Sequence, residues 1–294
     1  MEGLRKTACA FLLCTLCLFA LKDLHFARMA VSMDWLSKIG ARWIGRLKAQ
    51  SYLAAVIWAV LRAAVVRTTW PRTVANVFAR QVLFTGIEAT RFILLLALMV
   101  GILIVVQTQV WLSKVGQTGL LGPVLVMVVV REVGPLLVNF VVIGRSGTAM
   151  STELGNMKIA GEVRLLDAQG LDPFTYLVVP RVLGAAVSIF CLTIIFIVGA
   201  FVSGYFSGLL LGANVGAPGL FTMSVFRAVQ PADVFNLLAK TFIPGLVTGA
   251  ICCTEGLSVS TAITEVPQAT SRALVRSVGA LFVISALVSL LTYM

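Results

Sequence analysis

Five long apolar runs constrain this chain more than any other feature. A helix of about 20 apolar residues is long enough to cross the hydrocarbon core of a bilayer. With 59% of the 294 residues hydrophobic and only 12% charged, a water-soluble fold could not bury so much apolar surface. The sequence therefore predicts an all-α integral membrane protein with five transmembrane spans. The runs are roughly Arg91 to Val110, Gly119 to Gly144, Val182 to Leu211, Phe235 to Leu257 and Ala273 to Thr292.

The basic residues indicate how these spans are oriented. The formal net charge is +11, and 13 of the 23 Lys and Arg residues lie at or before Arg91. Cytoplasmic loops carry an excess of Lys and Arg, so the N-terminus is predicted inside and, after five spans, the C-terminus outside. Only Lys114 and Arg227 then fall in outer loops. The inner loops receive Arg145, Lys158, Arg164, Arg181, Arg272 and Arg276. This placement indicates a membrane rather than nucleic acid as the partner of the positive charge.

The segment before the first run divides into two parts. Residues 1–34 form an apolar extension of uncertain role, whose run at residues 8–21 is too short to span a bilayer. Residues 35–90 are predicted to hold interfacial helices. Trp35 to Lys48 places apolar and basic residues on opposite sides of a helix, as expected for one lying in the headgroup plane. Residues 52–66 read as a second interfacial or half-inserted helix, and residues 91–294 as the five-span domain.

The second run contains two adjacent charged residues, Arg131 and Glu132, near its middle. Charges inside a membrane are costly, so both should face protein, a partner or a wet cavity. Adjacent helical residues point about 100° apart, so each needs a separate partner. Pro135 removes the N–H that would bond the Arg131 carbonyl and favours a kink, and Asn139 extends the polar stripe. Two interpretations remain open: a buried ion-pair network that locks helices or subunits together, or a cavity that holds an amphipathic substrate.

A polar stretch of alternating charge, residues 144–173, follows the second run. A short helix with apolar residues available to a groove would suit docking on a cytoplasmic protein. The candidate docking residues are Glu153, Leu154, Met157, Lys158, Glu162 and Asp167. We find no phosphate-binding loop, HExxH, GxSxG or paired-cysteine metal motif in the chain. The six cysteines read as small reduced apolar residues. The chain is therefore predicted to be non-catalytic, with no cofactor or metal of its own.

Small residues recur every four positions in the third run. Ala200, Gly204, Gly208 and Gly212 would lie on one helix face and let another helix approach closely. Gly245 and Gly249 repeat this pattern in the fourth run. These residues predict tight helix packing rather than a chemical function.

Several ordered blocks resemble the MlaE/YrbE permease family, whose pattern is similar to REhGPhh…GRhGhAhhAEhGhMK…hhDP…hhPR, where h is apolar. The resemblance covers roughly residues 35–294. One departure is Glu255, which adds a charge where the family often has an aromatic residue before the glycine. The matching blocks are residues 131–135 (REVGP), 144–147 (GRSG), 153–158 (ELGNMK), 171–173 (LDP), 179–181 (VPR) and 268–275 (QATSRALV).

The resemblance implies a homodimeric permease of a bacterial ABC lipid transporter of the MCE type. Two cytoplasmic ATPases (MlaF-like), which bind ATP and Mg, would dock on residues 144–173. A periplasmic MCE-domain protein (MlaD-like) would cover the dimer, and a small STAS-domain protein (MlaB-like) is a further candidate partner. The cargo would be phospholipid or a related lipid, moved between the inner membrane and the outer envelope in support of outer-membrane lipid asymmetry. Arg131 and Glu132 would approach the central cavity.

Two other classes of function compete with this interpretation. An ion-coupled secondary transporter or channel would use Arg131 and Glu132 as a relay, and such proteins commonly contain inverted repeats. We find no convincing repeat between the halves. A membrane-embedded lipid-modifying enzyme needs a nucleophile, or a metal with a base, and the single His25 lies outside the predicted spans.

Overall fold

The computed structural model describes residues 48–66, 72–115, 121–210, 223, 225, 227–260 and 262–293. Within these ranges all regular secondary structure is helical. Residues 48–55 are helical and belong to a unit of their own, Met1–Ala55, while the remainder forms the unit Val56–Met294. The apolar extension at residues 1–34, and all of the Trp35 to Lys48 helix except its last residue, lie outside the described residues.

Five helices among the described residues are long and apolar enough to cross a membrane, as predicted. Residues 52–66 are not among them. The five are span 1 (Arg72–Leu112), span 2 (Gly122–Ile159), span 3 (Phe174–Leu210), span 4 (Pro231–Leu257) and span 5 (Glu265–Thr292).

Three of the spans combine α-helix with π-helical turns. Span 1 joins Arg72–Val82 to Glu88–Val115 through the π-turn Leu83–Ile87. Span 3 begins with the π-turn Phe174–Val178 and continues as Val179–Leu210. Spans 4 and 5 are the α-helices Pro231–Leu257 and Glu265–Tyr293. The helical segments of span 2 are Leu121–Leu125, Val126–Val133 (π), Gly134–Val142, Ile143–Gly147 (π) and Thr148–Ile159.

Span 2 continues well beyond its predicted end at Gly144. The π-turn Ile143–Gly147 carries the helix through a Gly- and Ser-rich sequence that resembles a loop. A Cβ atom at Gly147 would lie 3.1 Å from Cys252 Sγ, and one at Gly155 would lie 3.3 Å from Val266. The small residues therefore allow spans 4 and 5 to approach, and the first half of segment 144–173 is membrane-type helix rather than loop.

Close helix contacts occur where the small residues predicted them. A Cβ atom at Gly204 would overlap Val105 of span 1, and one at Gly101 would overlap the Ala200 carbonyl oxygen. In the fourth span, a Cβ at Gly245 would lie 2.8 Å from Ala186 Cα. Gly208 is buried, and Gly212 lies outside the described residues. In the described part of span 3, Gly204 is therefore a point of close contact with span 1.

The helix at residues 56–65 packs against one end of the bundle. Val60 is fully buried there with Leu154, Val178 and Ala250, whereas Trp58 is largely exposed. This end, where span 2 ends, span 3 begins, span 4 ends and span 5 begins, carries Lys158, Arg164, Arg181, Arg272 and Arg276. We call it the basic end.

Candidate functional site

Arg131 of span 2 forms a two-contact ion pair with Asp233 of span 4. Its Nε lies 2.7 Å from Asp233 Oδ1, and its second contact runs from Nη2 to Oδ2 at 3.2 Å. Asp233 is in the first turn of span 4, where it also accepts the Gln230 backbone N–H at 2.9 Å as part of a capping box. One buried carboxylate therefore both starts span 4 and ties it to span 2.

Glu132 pairs with a different residue, Lys240, which lies about two helical turns after Asp233 along span 4. Lys240 Nζ lies 2.6 Å from Glu132 Oε1, and Ser289 of span 5 donates to the same oxygen at 2.8 Å. Lys240 is 1% exposed, which makes it one of the most deeply buried side chains of the described residues. Arg131 and Glu132 thus have separate partners, as the helix geometry predicted.

Pro135 leaves the Arg131 carbonyl without its usual backbone donor, and Lys240 Nζ takes that place at 2.8 Å. Span 2 accommodates the proline by widening into the π-helix Val126–Val133, in which the Gly134 N–H donates to the Val129 carbonyl. Asn139 then bonds the Pro135 carbonyl at 2.7 Å and the Lys240 carbonyl at 3.1 Å. The buried Lys240 side chain therefore satisfies the backbone carbonyl that Pro135 leaves without a donor in span 2.

The four charged groups balance, since two are acidic and two are basic. Balanced, hydrogen-bonded pairs offset much of the cost of burying charge in apolar surroundings. Asp233 is in the first turn of span 4 and Ser289 is near the end of span 5, so the network lies toward the end of the bundle opposite the basic end. The position of Arg131 and Glu132 near the middle of the membrane stays a prediction.

Exposure separates the predicted cavity residues into two groups. Pro135 and Asn139 are buried between helices. The Glu132 side chain is 46% exposed and that of Arg131 is 19% exposed, so these two reach a surface of the single chain. Contact of any of the four with a substrate stays a prediction. Asp233, Lys240 and Ser289 were missed; a lysine inside the fourth apolar run was a usable signal, whereas Ser289 gave none.

An apolar groove lies beside the Arg131–Asp233 pair, between spans 2, 3 and 4. Its volume is about 440 Å³. Val130, Phe201, Val229 and Leu237 are among its apolar walls, and Asp233 is its one charged lining residue among the described part of the chain. A groove of this composition suits a hydrocarbon chain better than a polar solute.

Most of the predicted docking residues before Ile159 make contacts inside the chain. Glu153 pairs with Arg181 at 2.7 Å, and Lys158 donates to the Leu257 carbonyl at the end of span 4. Leu154 is completely buried, so the expectation that it is available to a partner's groove is wrong. The reason is that span 2 stays helical here and packs Leu154 into the core of the basic end. Met157 is half-buried.

Segment 144–173 also contains the short, largely exposed helix Glu162–Ala168, which we call the connecting helix. Gly161 and Gly170 flank it with φ of 80° and 77°, a left-handed conformation that only glycine adopts readily. Glu162 and Asp167 are exposed, and Leu165 is 59% exposed at the same end. An apolar residue displayed between acidic ones is a suitable contact for a cytoplasmic partner.

Glu255 is held at the basic end by two arginines of span 5. Its carboxylate pairs with Arg276 and lies 3.5 Å from Arg272 Nε. The charge that departs from the family pattern therefore joins spans 4 and 5 at this end.

Comparison with known proteins agrees with this architecture. The sequence matches the family described as Permease MlaE over residues 78–291. The chain belongs to the MlaE permease family. It is 32% identical over 205 residues to a probable ABC transporter permease protein of Synechocystis, covering 69% of this chain and 76% of that protein. It is 28% identical over 216 residues to a probable ABC transporter permease protein of Rickettsia conorii, with 73% and 82% covered.

A plant relative is the Arabidopsis thaliana chloroplastic protein TRIGALACTOSYLDIACYLGLYCEROL 1, 28% identical over 200 residues. That match covers 68% of this chain and 56% of the Arabidopsis protein. Family and spans together make this chain a multi-pass membrane permease.

Proposed function

We propose that this MlaE-family permease is the membrane subunit of an ABC transporter that moves phospholipid or a related lipid between the inner membrane and the outer envelope. The observation that carries the proposal is the pairing of a polar and an apolar surface. Arg131 and Glu132 are partly exposed, and the apolar groove of about 440 Å³ adjoins Asp233, the partner of Arg131. A lipid needs both surfaces, one for its headgroup and one for its acyl chain. The Arabidopsis relative, whose name contains diacylglycerol, supports a lipid cargo.

The energy source in this proposal is a separate ATPase (MlaF-like) with ATP and Mg bound to it. The connecting helix supplies its docking surface through Leu165, Glu162 and Asp167, because these residues are exposed at the basic end. Glu153 and Lys158 act behind that surface by tying the helix ends together. The permease works as a homodimer in the bacterial inner membrane, with an MCE-domain protein (MlaD-like) on the periplasmic side and a STAS-domain protein (MlaB-like) at the ATPases.

The test is ATP-dependent lipid movement by the reconstituted complex. The purified permease and its co-purifying ATPase are placed in proteoliposomes with fluorescent phospholipid, and transfer to an acceptor is followed. We expect transfer with ATP and none without it. Transfer driven by an ion gradient without the ATPase would instead favour the alternative, an ion-coupled secondary transporter.

A double variant separates the substrate role of Arg131 from its structural role. Arg131→Ala alone leaves the buried Asp233 carboxylate without its arginine, whereas Arg131→Ala with Asp233→Asn removes both charges and keeps a side-chain oxygen that can accept the Gln230 N–H. We expect the double variant to keep a near-normal unfolding midpoint and to lose lipid occupancy and transport. Normal transport in a stable double variant would leave the pair with a structural role alone.

Docking is tested with Leu165→Asp, which places a charge at the exposed apolar position of the connecting helix. Ile263→Asp is the matched control, because Ile263 is 71% exposed in the other turn of the basic end, between spans 4 and 5. We expect Leu165→Asp to reduce co-purification of the ATPase and the lipid stimulation of ATP hydrolysis. Equal effects of both variants would contradict the assignment of the connecting helix.

A further inference from the structure

A second cavity, separate from the apolar groove, opens at the basic end. Its volume is about 500 Å³, and it lies between the first turns of span 1, the last turns of span 2 and the start of span 3. Thr73, Asn76 and Arg80 form one wall, and Glu153, Tyr176 and Arg181 form another. Phe84, Val77 and Leu177 complete it with apolar surface. The cavity is therefore amphipathic.

Two guanidinium groups and one carboxylate line this cavity. Arg181 is 5% exposed, with Nη1 bonded to the Leu177 carbonyl at 3.1 Å and Nη2 to Glu153 at 2.7 Å. Arg80 is exposed at the rim. The Glu153 side chain is 53% exposed, so it is free to leave Arg181 when another anion arrives. Because Arg181 is buried and Glu153 is exposed, another anion that enters the cavity can replace the Glu153 carboxylate at Arg181.

The geometry points to this cavity as a binding site for the headgroup of an anionic phospholipid, distinct from the proposed transport path. Arginine binds phosphate through paired N–H donors, and Asn76 and Thr73 offer further polar contacts. Basic pockets between transmembrane helices at the cytoplasmic surface suit anionic headgroups. The apolar wall of Phe84, Val77 and Leu177 accommodates the upper part of an acyl chain, which free phosphate does not need.

Headgroup binding in this arrangement competes with Glu153 for Arg181. The phosphate takes the place of the Glu153 carboxylate at Nη2, and Glu153 turns toward water. Glu153 lies nine residues before the start of the connecting helix, so an occupied site would, resting on the proposed function, change the contacts behind the surface proposed for the ATPase.

The test measures phosphatidylglycerol retained by the full-length permease complex in detergent, by native mass spectrometry across a lipid titration. Phosphatidylcholine is the comparison lipid. Arg80→Gln should weaken phosphatidylglycerol binding about fivefold, and Glu153→Gln should tighten it because the competing charge is gone. Arg72→Gln is the matched control: it is exposed on the same helix but does not line the cavity.

The outcomes are distinct. Loss in Arg80→Gln, gain in Glu153→Gln and no change in Arg72→Gln support the site. Equal losses in Arg80→Gln and Arg72→Gln would show general surface attraction and overturn it, as would equal retention of phosphatidylcholine. Displacement of the lipid by millimolar inorganic phosphate would assign the cavity to free phosphate instead. These measurements follow lipid retention and not transport, so a negative result for this site can be distinguished from a negative result for the proposed function.

Discussion

Lys240 is the residue on which the polar network between spans 2, 4 and 5 depends. Replacing it with Met removes the partner of Glu132 and the donor to the Arg131 carbonyl while keeping a similar volume. Leaving the Arg131 carbonyl without a donor and the partly exposed Glu132 carboxylate without its countercharge costs about 1–3 kcal/mol. We therefore expect Lys240→Met to lower the unfolding midpoint of the purified protein clearly in thermal denaturation.

Two variants check this explanation. Adding Glu132→Gln to Lys240→Met should recover part of the loss, because the remaining carboxylate no longer lacks a countercharge. The pair Arg145–Glu88 has the same 2.6 Å separation but both side chains are about half exposed. Glu88→Gln should change stability by about 1 kcal/mol or less. A Lys240→Met variant as stable as Glu88→Gln would contradict a structural role for the network.

Two of the residues in this network, Arg131 and Glu132, could be recognised from the sequence. Arg131 and Glu132 stood out because two charges interrupt an apolar run, and helix geometry required two separate partners. The same criterion applied to the fourth run would have found Lys240. Asp233 was harder to recognise because it lies at a helix start, where a carboxylate is ordinary capping chemistry. Ser289 is one of several hydroxyls on span 5, and only the packed structure distinguishes it.

Where spans 1 and 3 cross, the close approach of the two helices depends on the absence of a side chain at Gly101. A Cβ atom at Gly101 overlaps the Ala200 carbonyl and Ser203, so Gly101→Ala must push the two helices apart. Overpacking of this kind costs about 1–3 kcal/mol. We expect a lower unfolding midpoint for Gly101→Ala, measured by thermal denaturation in detergent.

Gly144→Ala is the control for that experiment. Gly144 is also helical, but a Cβ there meets no atom within 4 Å. Alanine is a better helix former than glycine, so Gly144→Ala should leave the midpoint unchanged or raise it slightly. If both variants lower the midpoint equally, loss of glycine itself rather than helix contact explains the effect.

At the level of elements, five spans followed from apolar length alone, yet the end of span 2 did not. Gly144, Ser146, Gly147 and Thr148 resemble a loop because these residues also favour turns. The structure uses their small size for packing, with Gly147 against Cys252. A local sequence cannot distinguish the two uses, since the neighbour that requires the small residue is about one hundred positions away.

The two ends of the helical bundle differ in positive charge, and this difference predicts how the molecule is oriented in the membrane. Lys158, Arg164, Arg272 and Arg276 share the basic end, whereas the described residues of the opposite end carry the exposed Lys114 and Arg227 beside the Arg131–Asp233 and Lys240–Glu132 pairs. Positively charged ends remain in the cytoplasm during insertion.

We therefore expect a cysteine introduced as Asp167→Cys to react with an impermeant maleimide only after cells are permeabilised. A cysteine added after Met294 should react in cells that are not permeabilised. Unsubstituted protein gives the background from native cysteines, of which Cys252 and Cys253 are buried. Labelling of the Asp167→Cys variant in intact cells would reverse the orientation and remove the connecting helix from reach of any cytoplasmic ATPase.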